Sequence, residues 1–235
     1  MRIPRHGSIV LLTGAGISAE SGVRTFRDAG GLWEGHRIEE VATPEGYATN
    51  PDLVQTFYNA RRAQLKEVVP NAAHRALARL EAAWPGRLLL VTQNVDDLHD
   101  RAGSRNLIHM HGELRKARCT NCQSIHLWEE DLTEATPCPR CERKARLRPH
   151  IVWFGEMPLE MPRIFEALED ADLFVAIGTS GVVYPAAGFV EAVGPACHTL
   201  ELNLEPSAVI SAFAEHRQGK ATDLVPAFVE GLLAQ

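Results

Sequence analysis

A short apolar run at residues 8–12 (SIVLL) passes through Thr13 straight into Gly14-Ala15-Gly16-Ile17-Ser18-Ala19. This junction constrains the fold more than any other stretch. It reads as a buried strand entering a tight turn at the start of a helix. Its glycines let the backbone approach a pyrophosphate, whose charge is met by amide N–H groups at the helix start. The pattern fits the G-x-G-x-x-A form of a dinucleotide fingerprint. One departure narrows the chemistry. A dehydrogenase carries a second strand ending in an acid about 20 residues further on. Here SGVRTFRDAGGLWE follows, with no strand before Glu34. A dinucleotide site is expected, without the hydride-transfer arrangement.

Four more apolar runs, at residues 87–92, 106–109, 171–178 and 199–203, have the continuous character of parallel strands buried on both faces. Helix-like segments at 161–169, 186–192 and 224–233 alternate with the later ones. Strand–helix alternation with ligand-like turns at strand ends predicts an open α/β sheet. Residues 37–84 look helical, and residues 115–148 hold four of the five cysteines. We expect these two insertions to pack together as a smaller domain. At 45% hydrophobic residues the 235-residue chain can bury a substantial core. Its net charge of −6 argues against a nucleic-acid partner. No apolar run approaches the roughly 18 residues of a membrane span. With no signal-peptide core either, a cytoplasmic location is expected. Few residues precede the first strand, so no long N-terminal regulatory tail is expected.

Cys119-x-x-Cys122 and Cys138-x-x-Cys141 are separated by 15 residues. Each turn aims two thiolates at one point, and two turns complete a tetrahedral four-sulfur shell for zinc. A full shell has no open position, so the expected role is structural. The surrounding Lys116, Arg118, Arg140, Arg143, Lys144, Arg146 and Arg148 keep a nucleic-acid-binding zinc ribbon in play, although Glu129, Glu130, Asp131 and Glu134 offset their charge. Cys197 stands alone and reads as a core residue.

In chain order, GAGISAESGVRTFRDAGGLW, TQNVDDLH, HMHGE, the cysteine pairs, FGE, GTS and NLEP resemble the motif series of the sirtuins, NAD-dependent protein-lysine deacylases. The resemblance runs from about residue 8 to the C-terminus. It implies an α/β fold: a Rossmann-like parallel-sheet domain (1–36, 85–114 and 149–235) with a smaller discontinuous domain, helical and zinc-binding (37–84 and 115–148). It implies NAD contacts from Gly14, Ala15, Gly16, Ile17, Glu20, Thr25, Phe26, Arg27 and Trp33 in the first segment. Gln93, Asn94 and Asp96 follow the second strand and would serve the nicotinamide-ribose pocket. Gly178, Thr179, Ser180, Asn203, Leu204 and Glu205 follow later strands, and Ala221 lies near the C-terminus. The resemblance assigns catalysis to His111, as base, and Asn94. Histidine suits a base because its ordinary pKa lies near working pH. His109 is a compositional rival, but the family motif places the base directly before glycine. The implied products are nicotinamide, free lysine and an O-acyl-ADP-ribose. Acylated lysine-containing proteins are the implied partners, their backbone laid between Val152, Phe154, Gly155 and Glu156 on one side and Val183 on the other.

FYNARR at residues 57–62 bears on which acyl group is removed. Tyr58 and Arg61 are three apart and share a helical face. Taken alone they read as a core tyrosine beside a snorkelling arginine. They resemble the Tyr-x-x-Arg pair of class III sirtuins, which lines the acyl pocket, and Ala42 matches a position that is bulky in many deacetylases. A guanidinium pairs bidentately with a carboxylate, and a phenol adds a donor. Removal of succinyl and malonyl as well as acetyl groups is therefore expected. Arg62, about 100° around the helix from Arg61, is expected to be a surface charge. Two rival readings use the same site: mono-ADP-ribosyl transfer to protein, and a non-catalytic NAD-sensing module.

Overall fold

The expected apolar runs become the strands of one parallel sheet. The computed structural model describes residues 3–23, 32–33 and 35–235. β1 (Ile9–Thr13) leads into α1 (Gly16–Ala19). β2 (Leu32–Trp33) and β3 (His36–Arg37) form a short antiparallel pair before α2 (Ile38–Val41), α3 (Pro44–Thr49), α4 (Pro51–Gln64) and α5 (Ala72–Ala83). A two-residue strand thus does precede Glu34, against expectation, but it lies outside the parallel sheet. β4 (Leu88–Thr92), α6 (Leu98–Ala102) and β5 (Leu107–His109) return the chain to the sheet. β6 (Gly112–Cys119), β7 (Ile125–Leu127) and β8 (Leu147–Ile151) form a separate antiparallel sheet that carries the cysteines. α7 (Met161–Glu169), β9 (Leu173–Ile177), β10 (His198–Asn203), β11 (Glu215–Gln218) and α8 (Ala221–Leu233) follow. The segment at Ala186–Glu191 is a 3-10 helix rather than an α-helix.

The order of the main sheet is β11-β10-β9-β1-β4-β5, and every pair in it is parallel. From β1 the chain builds outward to β4 and β5 on one side, and later to β9, β10 and β11 on the other. The crevice beyond the carboxyl ends of β1 and β9 is thus the topological switch point, where open sheets bind ligands. Side chains of β1 alternate between two cores. Ile9 and Leu11 face α5 and α8, meeting Leu77, Leu80, Val225 and Phe228. Val10 and Leu12 face α7, meeting Ile164 and Leu168. Each such fully buried aliphatic side chain contributes about 1.5–3 kcal/mol. β11 went unexpected because EHRQ is a polar edge strand, invisible to a search for apolar runs. Among the described residues no helix is long and apolar enough to cross a membrane.

The helices of residues 37–84 serve two neighbours. α5 lies on the main sheet, while α2 and α4 pack beside β6 and β8 through Val41, Val54, Tyr58, Leu114 and Ile151. Thr43 and Asn50 cap α3 and α4, accepting from Gly46 N (2.9 Å) and Leu53 N (3.1 Å), with proline next in both cases. Arg62 corrects an expectation. It is only 2% exposed, not a surface charge. Its Nε donates to Leu114 O (2.8 Å), and its Nη1 donates to Asn59 Oδ1 (2.8 Å) and Glu130 O (3.2 Å). The 100° offset does turn Arg62 from the Tyr58–Arg61 face, but toward β6 rather than water. Burial lowers its pKa to about 10, which leaves it charged.

Candidate functional site

The turns after β1 and β9 interlock. Gly14 N donates to Ile177 O (3.0 Å) and Gly16 N to Gly178 O (2.8 Å). A Cβ on Gly16 would lie 2.8 Å from both the Cα and the O of Gly178, which itself needs a φ of +63°. Thr179 Oγ1 accepts from Gln93 Nε2 (3.1 Å), and Thr179 O accepts from Asn203 Nδ2 (2.7 Å). Turns from β1, β4, β9 and β10 are thereby stitched into one cradle at the switch point. Ala15 precedes α1, Ile17 is buried within it, and Ser180 O accepts from Ala208 N. Leu204 and Glu205 are exposed beyond Asn203. Glu20 accepts from Thr222 N (3.1 Å) and Thr222 Oγ1 (2.9 Å), which brings it beside Ala221 at the start of α8. Thr25, Phe26 and Arg27 lie outside the described residues, and Trp33 enters as backbone of β2. Substituting Gly16 with alanine drives a methyl into the backbone of the second turn. NAD affinity in Gly16→Ala should fall at least about tenfold, with about 1–3 kcal/mol of overpacking strain. Calorimetric titration and thermal melting measure both; unchanged affinity contradicts the cradle.

Beneath this cradle Asn94 and Asp96 join a buried polar cluster whose other members, Ser18, His74, Thr13, Thr92 and His99, were not expected as site residues. Ser18 is its centre. Ser18 Oγ donates to Asp96 Oδ2 (3.0 Å) and accepts from Asn94 Nδ2 (3.1 Å), with His74 Nε2 3.3 Å away. Asp96 also accepts from Leu98 N (3.1 Å), and burial raises its pKa against those bonds. His74 is held neutral, its pKa lowered to about 4 by burial and the Arg75 charge. Thr13 Oγ1 bridges Thr92 Oγ1 (2.9 Å) and His99 Nε2 (3.0 Å), and Thr92 Oγ1 accepts from Asn94 N (3.1 Å). One signal was available: His74 shares the buried stripe of α5 with Ala73 and Leu77.

His111 follows β5. Its Nδ1 lies 3.0 Å from Gln93 O. A carbonyl can only accept, so Nδ1 carries the proton and Nε2 keeps its lone pair. Burial lowers the His111 pKa, partly offset by that bond. The next residue, Gly112, has φ +83°, and a Cβ there would sit 2.0 Å from His150 O. His109 differs in kind. Burial pulls its pKa down, but the Asp100 bond (2.9 Å), nearby Glu113 and Asn94 O raise it overall. Its Nε2 is engaged with a carboxylate, so it is the poorer base.

The segment after β8 joins His111 to the acyl-pocket candidates. Val152 N donates to His111 O (2.8 Å), Trp153 Nε1 to Tyr58 Oη (3.0 Å), and Phe154 N to Ala42 O (2.9 Å). Tyr58 and Arg61 are both buried on α4, and burial raises the Tyr58 pKa, keeping the phenol protonated. Glu156 pairs with Arg148 through both oxygens (2.7 and 2.9 Å), with Arg118 (2.8 Å) and with Trp153 N (2.9 Å). The N–H groups of Val152, Trp153, Phe154 and Glu156 are thus committed. A peptide laid here meets carbonyls and the Gly155 N–H. Val183 lies between exposed Val182 and Tyr184.

The four paired cysteines bring all their Sγ atoms within 4.8 Å of one another. Cys119 Sγ to Cys141 Sγ and Cys122 Sγ to Cys138 Sγ are both 3.7 Å. Thiolates about 2.3 Å from one zinc ion sit roughly 3.8 Å apart, so the shell fits. The two turns share a backbone design. Gln123 N donates to Cys119 O and Glu142 N to Cys138 O, and both Gln123 and Glu142 have φ 58°. Cys197 stands apart, its thiol pushed up to about 11 by burial.

The fold and site define a dinucleotide-binding parallel sheet coupled to a unit whose four cysteines converge on one point. The chain matches the profile of the Sir2 family over residues 14–185. An NAD-dependent protein deacylase of Salmonella typhimurium is 62% identical over 228 residues, covering 96% of this chain and 84% of that protein. One of Vibrio parahaemolyticus is 60% identical over 232 residues, covering 97% and 96%. A solved Sir2 homolog–NAD complex superposes with a TM-score of 0.87 at 38% identity, covering 97% of this chain and 90% of the other. A Sir2 bound to acetylated peptide gives 0.79 at 26% identity, covering 95% and 92%. The chain belongs to the Sir2 family.

Proposed function

We propose that this chain is an NAD-dependent protein-lysine deacylase that removes acidic acyl groups, succinyl and malonyl, as well as acetyl. One observation carries the reading: three successive residues, Val152 to Phe154, bond in turn to His111, Tyr58 and Ala42. The base, the acyl pocket and the peptide-flanking segment thereby form one unit. The glycine cradle holds NAD, which supplies an activated ribose carbon when bound. Asn94, anchored by Ser18, and Asp96 orient the nicotinamide-ribose end. His111 Nε2 takes a proton from a ribose hydroxyl. Arg61 pairs with the acyl carboxylate and Tyr58 donates to it. The four cysteines hold a structural zinc ion, for which their sulfur spacing is the support.

The test is mass spectrometry of succinyl-, malonyl- and acetyl-lysine peptides with and without NAD. NAD-dependent release of free lysine together with O-acyl-ADP-ribose is expected. ADP-ribose attached to protein would instead favour the transferase reading. Arg61→Met should lower succinyl-peptide turnover by about 10–100-fold, the size of a charge-assisted bond, and acetyl turnover by less than about threefold. Equal losses on both substrates remove Arg61 from acyl recognition.

A further inference from the structure

Trp153 is 2% exposed and held from several sides. Arg148 Cζ lies 3.3 Å from the indole ring centroid. Arg148 is itself fixed by both Glu156 oxygens and donates to Ile151 O (2.8 Å). The Trp153 backbone N–H is tied to Glu156 Oε2, and the Tyr47 ring packs with its centroid 5.1 Å away. The direction of the indole N–H is therefore set by neighbours outside the acyl pocket. That N–H can only donate, and it donates to Tyr58 Oη at 3.0 Å. The phenol oxygen is the acceptor in this bond, so its own proton is turned away from the indole.

We propose that Trp153 is a specificity-positioning residue, fixing the Tyr58 hydroxyl as a hydrogen-bond donor so that acyl groups ending in a carboxylate are favoured. This rests on the reading of Tyr58 and Arg61 as the acyl wall. A phenol can donate or accept, and an unconstrained one serves neutral and anionic acyl tails alike. With its oxygen engaged by the indole, it presents a proton, which suits a carboxylate oxygen. The indole acts through the hydroxyl and not on the lysine amide. Its removal should therefore change binding of acidic acyl substrates more than the chemical step.

Steady-state kinetics on succinyl- and acetyl-peptides at saturating NAD, for Trp153→Phe, Tyr58→Phe and the double variant, test this. Each single variant should raise the succinyl-peptide KM about five- to tenfold, the size of one hydrogen bond. The succinyl-peptide KM should rise by a larger factor than either the acetyl-peptide KM rises or kcat falls. The double variant should be no worse than Tyr58→Phe, because the indole works through the hydroxyl. Effects that multiply in the double variant, or equal losses on both peptides, overturn the proposal. So does a normal succinyl KM in Trp153→Phe when Tyr58→Phe and Arg61→Met are impaired; the acyl-wall reading then survives. Normal succinyl turnover in Tyr58→Phe and Arg61→Met overturns that reading, and the proposal with it. Should Trp153→Phe melt early, Glu156→Gln loosens the clamp with the indole in place. It should then raise the succinyl KM in the same direction by a smaller factor, and an unchanged value overturns the proposal.

Discussion

Replacing His111 with tyrosine abolishes general-base catalysis, so NAD-dependent deacylation should fall by about 10²–10⁴-fold. NAD binding should persist, because the cradle is built from the turns after β1, β4, β9 and β10 and not from the imidazole. Single-turnover kinetics with calorimetric NAD titration separate the two. The pH profile adds an independent check. His111 must be neutral to accept a proton, and burial places its pKa below the ordinary 6.5. Wild-type kcat/KM should therefore be level near neutral pH and fall as pH drops through that lowered value. His109 is shifted the other way. An acidic limb lying above 6.5 that vanished in His109→Gln would move the base assignment to His109. Normal turnover by His111→Tyr would falsify the mechanism outright.

The second large effect is on the cysteine unit. Its core among the described residues is small, with Ala117, Cys119, Leu132, Cys138 and Leu147 buried. So small a cluster does not hold a fold without a staple. Chelation, or Cys119→Ser, should remove the metal and unfold residues around 119–146. A loss of about 3 kcal/mol lowers Tm by roughly 6–12 °C in a chain of this size. Arg118, beside Cys119, binds Glu156. The KM for peptide should therefore rise before NAD affinity falls. Elemental analysis, thermal melting and both binding constants report the result. A zinc-free protein with wild-type Tm and peptide KM would show that the sulfur cluster holds nothing.

The main sheet was legible because burial on both faces writes itself as LLLVT or LFVAI, and glycine turns mark the strand ends. The convergence of the four cysteines was legible because their spacing is local. What escaped detection depended on tertiary contact. EHRQ pairs at an edge and needs no apolar residue. Arg62 looked like a surface charge because helical angle says which way a residue points, not what waits there; β6 and the loop carrying Glu130 wait there. Trp153 carries no motif beyond its position before FGE, and its partner Tyr58 is 95 residues away. Ser18 sits inside the fingerprint yet faces Asn94 and Asp96, which arrive from another strand.

β6 begins directly after His111 and ends at Cys119. One strand, irregular between Glu113 and Ala117, therefore links His111 directly to the first sulfur of the cluster. Gly112 pins its near end, since a methyl there would strike His150. Adding or removing a residue in its regular stretch, Ala117 to Cys119, would turn the later side chains to the opposite face. A change of length in the loop between the two cysteine pairs, by contrast, leaves that strand and the histidine before it in place.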